Sequence, residues 1–338
     1  MVSQAEASPS QSQVFGVVSF YIVAAIVMVT VNKALLLSSP VPVFFLFCQL
    51  FVAVALLIAS HFGRLISLPR WEWDIIPKLW PMIAANVLGL VFNNLCLQYV
   101  DASFYQIARG LVLPITVAIA VTTRQGAPSH RAIACCGLIT AGFGIGLLLD
   151  RNSTGNGTSS FFIGVLFGIL SSFTTAIHSI IIKRSLPQVN DSAVHLAWYT
   201  NVLSSFAIIP IIVLTGEVPA VLEMFFDPSQ LRTFFYGSLV TGVFGFLICV
   251  AGFLSIKVTS PVTHMVSSAA RGVIQTMLSV WAFGDVISRS RAASIVIITT
   301  GSIAYVWVKH SEQQKTDSPL AGREEPEDQV PLVAKEEV

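Results

Sequence analysis

The segment TSPVTHMVSSAARGVIQTMLSVWAFGD, residues 259–285, is apolar or small almost throughout, yet it carries Arg271 near its middle. A membrane helix of this composition has no obvious use for a permanent cation, because an arginine at the bilayer centre costs about 2.5–3.5 kcal/mol on insertion scales. Arg271 stands roughly ten residues from either end of the run, about 15 Å of helical rise, so its head group reaches an interface only under strain. The segment reads as a membrane span in which a positive charge is retained for a purpose.

The rest of the chain agrees on the solvent. Of 338 residues, 54% are hydrophobic and 11% charged, against about a quarter charged in soluble domains. Such a chain cannot cover a globule with polar surface in water. The charge is also unevenly placed. Residues 311–338 hold eight acids and three bases, a net −5, which leaves +6 on the remainder of a chain whose total is +1. No basic stripe or recognition motif is present, so nucleic acid is excluded as a partner. The five cysteines (Cys48, Cys96, Cys135, Cys136, Cys249) lie in apolar runs without a CxxC pair, where thiols behave as small hydrophobes. Neither a disulfide nor a metal site nor a cofactor is expected.

Spanning about 30 Å of hydrocarbon takes roughly 20 helical residues. Runs of that length fall at about 14–37, 41–60, 77–100, 104–123, 130–149, 161–182, 193–215, 232–255, 260–283 and 290–308. The expected fold is an all-α membrane protein of ten transmembrane helices over residues 14–310. The tight links YVDASF and IKVTSP read as sharp turns between antiparallel helices. Residues 1–13, MVSQAEASPSQSQ, lack the basic region of a cleavable signal, so the first run reads as a retained anchor. Lys and Arg collect in alternate loops: Arg64, Arg70 and Lys78; Arg124 and Arg131; Lys183 and Arg184; Lys257; Lys309 and Lys315. The other loops hold Asp101, Glu217, Glu223 and Asp227, with Arg289 and Arg291 running against the pattern. This places both termini in the cytosol. The sequons at Asn152 and Asn156 fall on the lumenal side, in agreement. The acidic, proline-containing segment 311–338 is expected to be a disordered cytosolic tail.

An internal echo divides the ten spans. Ala-Arg-Gly occurs at 108–110 and again at 270–272, 162 residues apart, each after a short turn. Lys33 and Lys183 close the first and sixth spans 150 residues apart, each soon followed by a proline. Landmarks in the same order suggest two five-span repeats, about 14–150 and 161–308. An odd number of spans per repeat inverts the second half, the plan in which a transporter's substrate site lies near the midplane.

No Glu lies within any run, and Asp101 and Asp285 sit at helix ends, so Arg271 lacks an evident internal acid. A water-filled cavity that receives an anion explains it better than packing does. By i, i+4 spacing Ser267 and Gln275 share its face, Ser268 is adjacent, and His264 extends the stripe. Arg109 is a second candidate, nearer a helix end. Tyr199 and Asn201 in the seventh run, and Asn93, Asn94 and Gln98 in the third, are polar groups that either bridge helices or read a nucleobase. Tyr105, Trp198 and His178 are lesser candidates. AGFGIG, residues 141–146, resembles a dinucleotide loop but lies inside a span, where close helix packing accounts for its glycines. No triad, metal cluster or acid pair points to an enzyme.

FNNLCLQYV (92–100), FYQIARGL (104–111), WYTN (198–201) and TSPVTHMVSSAARGVIQT (259–276) together resemble the nucleotide-sugar transporters of the drug/metabolite transporter superfamily, closest to the GDP-fucose branch. The resemblance covers nearly all of residues 14–310. It implies proton-independent exchange of a cytosolic nucleotide sugar for a lumenal nucleoside monophosphate across the Golgi membrane, with the endoplasmic reticulum and a homodimer left open. It also implies that Tyr199 and Asn201 recognise the base, as part of a motif in which Thr200 departs from the usual asparagine. Arg271 stands where the family motif has a lysine for the phosphates, and Ser268 where it has a glycine. Ser267, Ser268 and Gln275 would hold the sugar end, with Arg109, Asn94 and His264 nearby and Lys33 and Lys183 assisting passage. The rival expectations are a UDP-sugar carrier (UDP-galactofuranose included), a sugar-phosphate exchanger, and a membrane scaffold that transports nothing.

Overall fold

The computed structural model describes residues 11–39, 41–123, 128–150, 158–258, 272–278, 280–282 and 288–317. They form helices α1 (Gln11–Ser38), α2 (Pro42–Phe62), α3 (Ile76–Tyr99), α4 (Ala102–Arg109), α5 (Val112–Thr122), α6 (His130–Asp150), α7 (Thr158–Ser185), α8 (Ala193–Leu214), α9 (Val218–Phe226), α10 (Pro228–Val258), α11 (Gly272–Ala282) and α12 (Arg289–Asp317). Among the described residues, eight helical segments are long and apolar enough to cross a membrane, with α4 and α5 counted as one. The first and ninth predicted spans correspond to shorter apolar helices, Ile22–Ser38 within α1 and α11.

Three departures from the predicted pattern have local causes. The fourth span breaks between α4 and α5 at Gly110–Leu111. Pro114 falls in the first turn of α5, where a proline needs no backbone donor and suits a helix that restarts. The loop after α8 contains the extra short helix α9, set off by Gly216 in the left-handed region (φ +71°). Finally, α12 continues to Asp317, so residues 311–317 extend the last helix beyond the predicted span.

Packing is organised in pairs. The principal helix pairs are α3 with α7, α6 with α12 and α1 with α10, followed by α2 with α10 and with α8. In lipid, apolar burial does not drive helices together, and small residues that let backbones approach do more. A Cβ at Gly168 of α7 would lie 2.8 Å from the Ala108 Cβ of α4, and one at Gly242 of α10 would lie 2.6 Å from the Val52 Cβ of α2.

One end of the bundle, carrying the α1–α2 and α3–α4 turns and the start of α12, is tied by buried charges. The Lys33 ammonium donates to the carbonyls of Leu97 (2.8 Å) and Val100 (2.7 Å), which close α3. The Glu217 carboxylate accepts from the Val43 N–H (3.0 Å) and the Phe44 N–H (2.8 Å) at the start of α2. Each charge meets the helix end of opposite partial charge. The opposite end carries the α2–α3 and α7–α8 connections.

Candidate functional site

A cavity of about 380 Å³ occupies the space between α1, α2, α3, α7, α8 and α10. It runs from the middle of the bundle, at Met28 and Thr241, to the α2–α3 end, at Ile66 and Leu186. Apolar side chains form most of its wall. The polar groups are Gln49 from α2, Asn86 from α3, His178 from α7, Thr200 and Asn201 from α8 and Thr241 from α10. Among the described residues, no Lys or Arg lines it.

These polar side chains are held by neighbouring helices. Gln49 Nε2 donates to Asn32 Oδ1 at 2.9 Å, and Asn86 Nδ2 to Ser204 Oγ at 3.1 Å. Asn201 Nδ2 donates to the Ala197 carbonyl one turn earlier at 2.8 Å. The hydroxyls of Thr200 and Thr241 bond back to Leu196 O (2.7 Å) and Gly237 O (2.9 Å). The wall is therefore preorganised, with few side chains left to order when a ligand arrives.

The residues singled out in the sequence are scattered. Asn201 lies in the cavity wall, as does the lesser candidate His178. Tyr199 does not line it. Its ring packs on Trp71 with centroids 5.2 Å apart, and its hydroxyl donates to Arg70 O (3.0 Å) while accepting from the Glu72 N–H (3.1 Å). Tyr199 thus pins the α2–α3 connection beside the cavity mouth. Asn94 donates to Pro42 O at 3.3 Å, joining α3 to α2. Arg109 donates to the Tyr105 hydroxyl (3.0 Å), which donates to Asn93 Oδ1 (2.7 Å). Lys33 holds the end of α3, as described above. Gln275 is buried and donates to Thr30 Oγ1 at 3.4 Å, tying α11 to α1. Arg271, Ser267, Ser268 and His264 lie outside the described residues, as do Asn152 and Asn156, and the side chain of Lys183 does likewise.

Gln49, Asn86 and Thr241 escaped the sequence reading, and Thr200 entered it only as a departure from a motif. The signal was present: Gln49 interrupts FFLFCQLFVA and Asn86 interrupts PMIAANVLGL, each a single amide in an apolar run.

The profile of the Triose-phosphate Transporter family matches residues 13–306. The chain belongs to this family. It is a transporter and not an enzyme, and its long apolar helices make it a multi-pass membrane protein. Among its curated relatives, the GDP-fucose transporter 1 of Mus musculus is 33% identical over 90% of this chain and 85% of its own length. The GDP-fucose transporter 1 of Dictyostelium discoideum is 32% identical over 90% and 83%. The protein named GDP-fucose transporter, Golgi, of Drosophila melanogaster is 32% identical over 90% and 92%. The likeness to the GDP-fucose branch in the quoted motifs extends in this way along most of the transporter.

Proposed function

We propose that this transporter is an antiporter of the Golgi membrane that carries a GDP-sugar, GDP-fucose first, into the lumen in exchange for a nucleoside monophosphate. The observation that carries the reading is the cavity: a volume in the range of drug-sized ligand sites, walled by apolar surface, with a few fixed amides converging from three helices. A triose phosphate would leave much of that space unfilled. The names of the relatives favour the same cargo.

The packing supports two inverted halves, α1 to α6 and α7 to α12. If α1 corresponds to α7, α2 to α8, α3 to α10 and α6 to α12, then the α3–α7 pair exchanges with α10–α1, and α2–α10 exchanges with α8–α3. The α2–α8 and α6–α12 pairs map onto themselves. A two-fold axis in the membrane plane generates this pattern, with the cargo near its centre. With both termini cytosolic, the cavity opens to the cytosol and the charge-tied end faces the lumen.

In this reading the neutral wall takes the base, while Arg271 grips the diphosphate with its two-pronged guanidinium. Ser267, Ser268 and Gln275 hold the sugar. An empty carrier would bury an uncompensated cation as it reorients, and a returning monophosphate removes that penalty. Obligate exchange follows. The test is uptake of labelled GDP-fucose by the purified protein in liposomes, with unlabelled GDP-, UDP- and CMP-sugars as competitors. The expected result is uptake that depends on internal GMP and yields to GDP-sugars first. Equal uptake into empty liposomes would remove the antiport, and preferential competition by UDP- or CMP-sugars would remove the GDP-sugar assignment.

A further inference from the structure

We propose that His178 answers the charge of the cargo: its imidazole takes up a proton as a nucleotide diphosphate enters the cavity and returns it when the cargo leaves. The inference rests on the nucleotide-sugar reading and adds a second, switchable cation to the one proposed at Arg271.

His178 stands apart from the other polar groups of the wall. Gln49, Asn86, Thr200, Asn201 and Thr241 each have a hydrogen-bond partner in the bundle. Among the described residues, neither ring nitrogen of His178 has one. The ring is half-buried on α7 and lines the cavity together with Ile182, one turn further on. An apolar helix gains no stability from an imidazole held in this way, because a polar group withdrawn from water without a partner is a cost to the fold. A ligand that meets the ring removes that cost.

Charge decides which ligand group that is. A nucleotide sugar brings two negative charges on its diphosphate, and a monophosphate dianion brings the same on the return. Arg271 matches one of them, and a second charge buried without a partner opposes binding. Among the described residues, His178 is the one lining side chain able to become a cation, and no Lys, Arg, Asp or Glu shares the wall. On the helices packed against α7 the other titratable groups are Lys78, Cys96 and Tyr99 of α3 and Tyr105 and Arg109 of α4, and none of them lines the cavity. Helix α5 and the turn Leu186–Val189 carry none. Across the cavity, His195 and Tyr199 of α8 also lie outside the wall. On α7 itself Lys183 and Arg184 follow Ile182, and neither residue type titrates near neutrality.

An imidazole ordinarily titrates at about 6.5. Apolar surroundings favour its neutral form and a neighbouring anion its charged form, so an entering diphosphate draws a proton from water onto the ring. The diphosphate then lies between His178 and Arg271, and the rest of the wall takes the base. The loaded carrier holds two cations against two negative charges with either cargo. One proton accompanies each cargo, inward with the nucleotide sugar and outward with the monophosphate, so a complete exchange moves no net proton.

GDP-fucose is the probe, because a monophosphate ionises on its own at about pH 6 and its diphosphate does not. Binding to the purified full-length protein is measured by titration calorimetry at about pH 6, 7 and 8, in buffers of different ionisation enthalpy that count the protons taken up. The wild type is expected to bind about ten-fold more tightly at pH 6 than at pH 8, with an uptake approaching one proton per cargo at the acid end. His178→Asn keeps a polar side chain but cannot titrate. It should match the wild type at pH 8, fall about ten-fold short of it at pH 6 and take up no proton. His178→Leu should bind more weakly still, while the melting temperature of the empty protein holds or rises, which the loss of a structural histidine would not give. A wild type without proton uptake, or a pH dependence that persists unchanged in His178→Asn, overturns the assignment and leaves GDP-sugar transport standing. A wild type that binds UDP-sugars and not GDP-fucose brings down the GDP-sugar reading instead, and the same proton count on the bound cargo still decides the role of His178.

Discussion

Arg291 Nη1 lies 2.7 Å from Asp101 Oδ2, joining the start of α12 to the turn between α3 and α4. Ser103 Oγ accepts from the same nitrogen at 3.2 Å. As a loop cation Arg291 runs against the distribution of positive charge, yet it is 5% exposed and matched by an acid. The pair sits with Lys33 and Glu217 at the end of the bundle away from the cavity mouth. The two partners are unequally buried, with side-chain exposures of 6% for Arg291 and 46% for Asp101. Removing Asp101 leaves a buried guanidinium, whereas removing Arg291 leaves a carboxylate that water reaches. Asp101→Ala should therefore lower the melting temperature of the purified protein more than Arg291→Met does. The expected cost is about 1–3 kcal/mol for the first, because Arg291 keeps its bond to Ser103, and under half of that for the second. The double variant should recover part of the loss. Equal single losses would mean that the ion pair is incidental to closing this end.

Lys33 separates two roles that the sequence could not distinguish. Its ammonium reaches two backbone carbonyls at the end of α3, and hydrogen bonds to a charged group contribute about 1.5–3 kcal/mol each. Lys33→Met should destabilise the protein by about 2–3 kcal/mol in thermal unfolding while GMP still binds the folded fraction with wild-type affinity. A ten-fold loss of GMP affinity with no change in melting temperature would return Lys33 to the cargo.

The all-helical membrane character was legible because composition and run length depend on sums over many residues. The break at Gly110–Leu111 precedes Pro114, but α3 and α8 carry Pro81 and Pro210 without breaking, and a hydropathy run does not tell the two cases apart. The tethers were hidden for a different reason. Lys33 and Glu217 meet backbone groups 64 and 174 residues away, and a backbone partner leaves no side-chain signature. Gln49 and Asn86 were not singled out, because one amide in an apolar run is also what an ordinary interhelical bond requires. Their nitrogens do bridge helices, to Asn32 and Ser204, and both residues also line the cavity.

Glu217 should make stability depend on pH. It lies between two spans, and burial pushes its carboxyl above the ordinary value, opposed by the N–H groups of Phe44 and Val43. A carboxyl raised on folding contributes most below its unfolded value, and that contribution is lost as pH rises through its folded value. Glu217→Gln keeps an oxygen for both N–H groups and removes the titration. Its melting temperature relative to wild type should climb as pH rises from about 4 toward neutrality. Glu217→Ala should be worse than wild type throughout, because two N–H groups at the start of α2 lose their acceptor, at about 1–3 kcal/mol. A flat difference between Glu217→Gln and wild type would show that folding does not raise the carboxyl's pKa.

The glycines of AGFGIG divide by what faces them, which decides between close packing and a loop that cradles phosphate. A Cβ at Gly144 meets nothing within 4 Å, whereas one at Gly142 would lie 2.9 Å from Ile297 Cγ2 and from Ile298 Cγ1 of α12. One at Gly146 would lie 2.7 Å from Ser294 Oγ. Ser294 is fully buried and its hydroxyl donates to Gly142 O at 2.6 Å, so it cannot yield without breaking that bond. The isoleucine tips have more room to turn. Gly144→Ala should leave stability unchanged or raise it by up to about 1 kcal/mol, the propensity difference in a helix interior. Gly142→Ala should lower it, and Gly146→Ala should lower it further, by about 1–3 kcal/mol as α6 is forced off α12. GMP inhibition of exchange should be unaltered in the folded fraction of all three. If Gly144→Ala were the damaging change, or if any of the three weakened nucleotide binding without loss of stability, these glycines would belong to the cargo path and not to the α6–α12 seam.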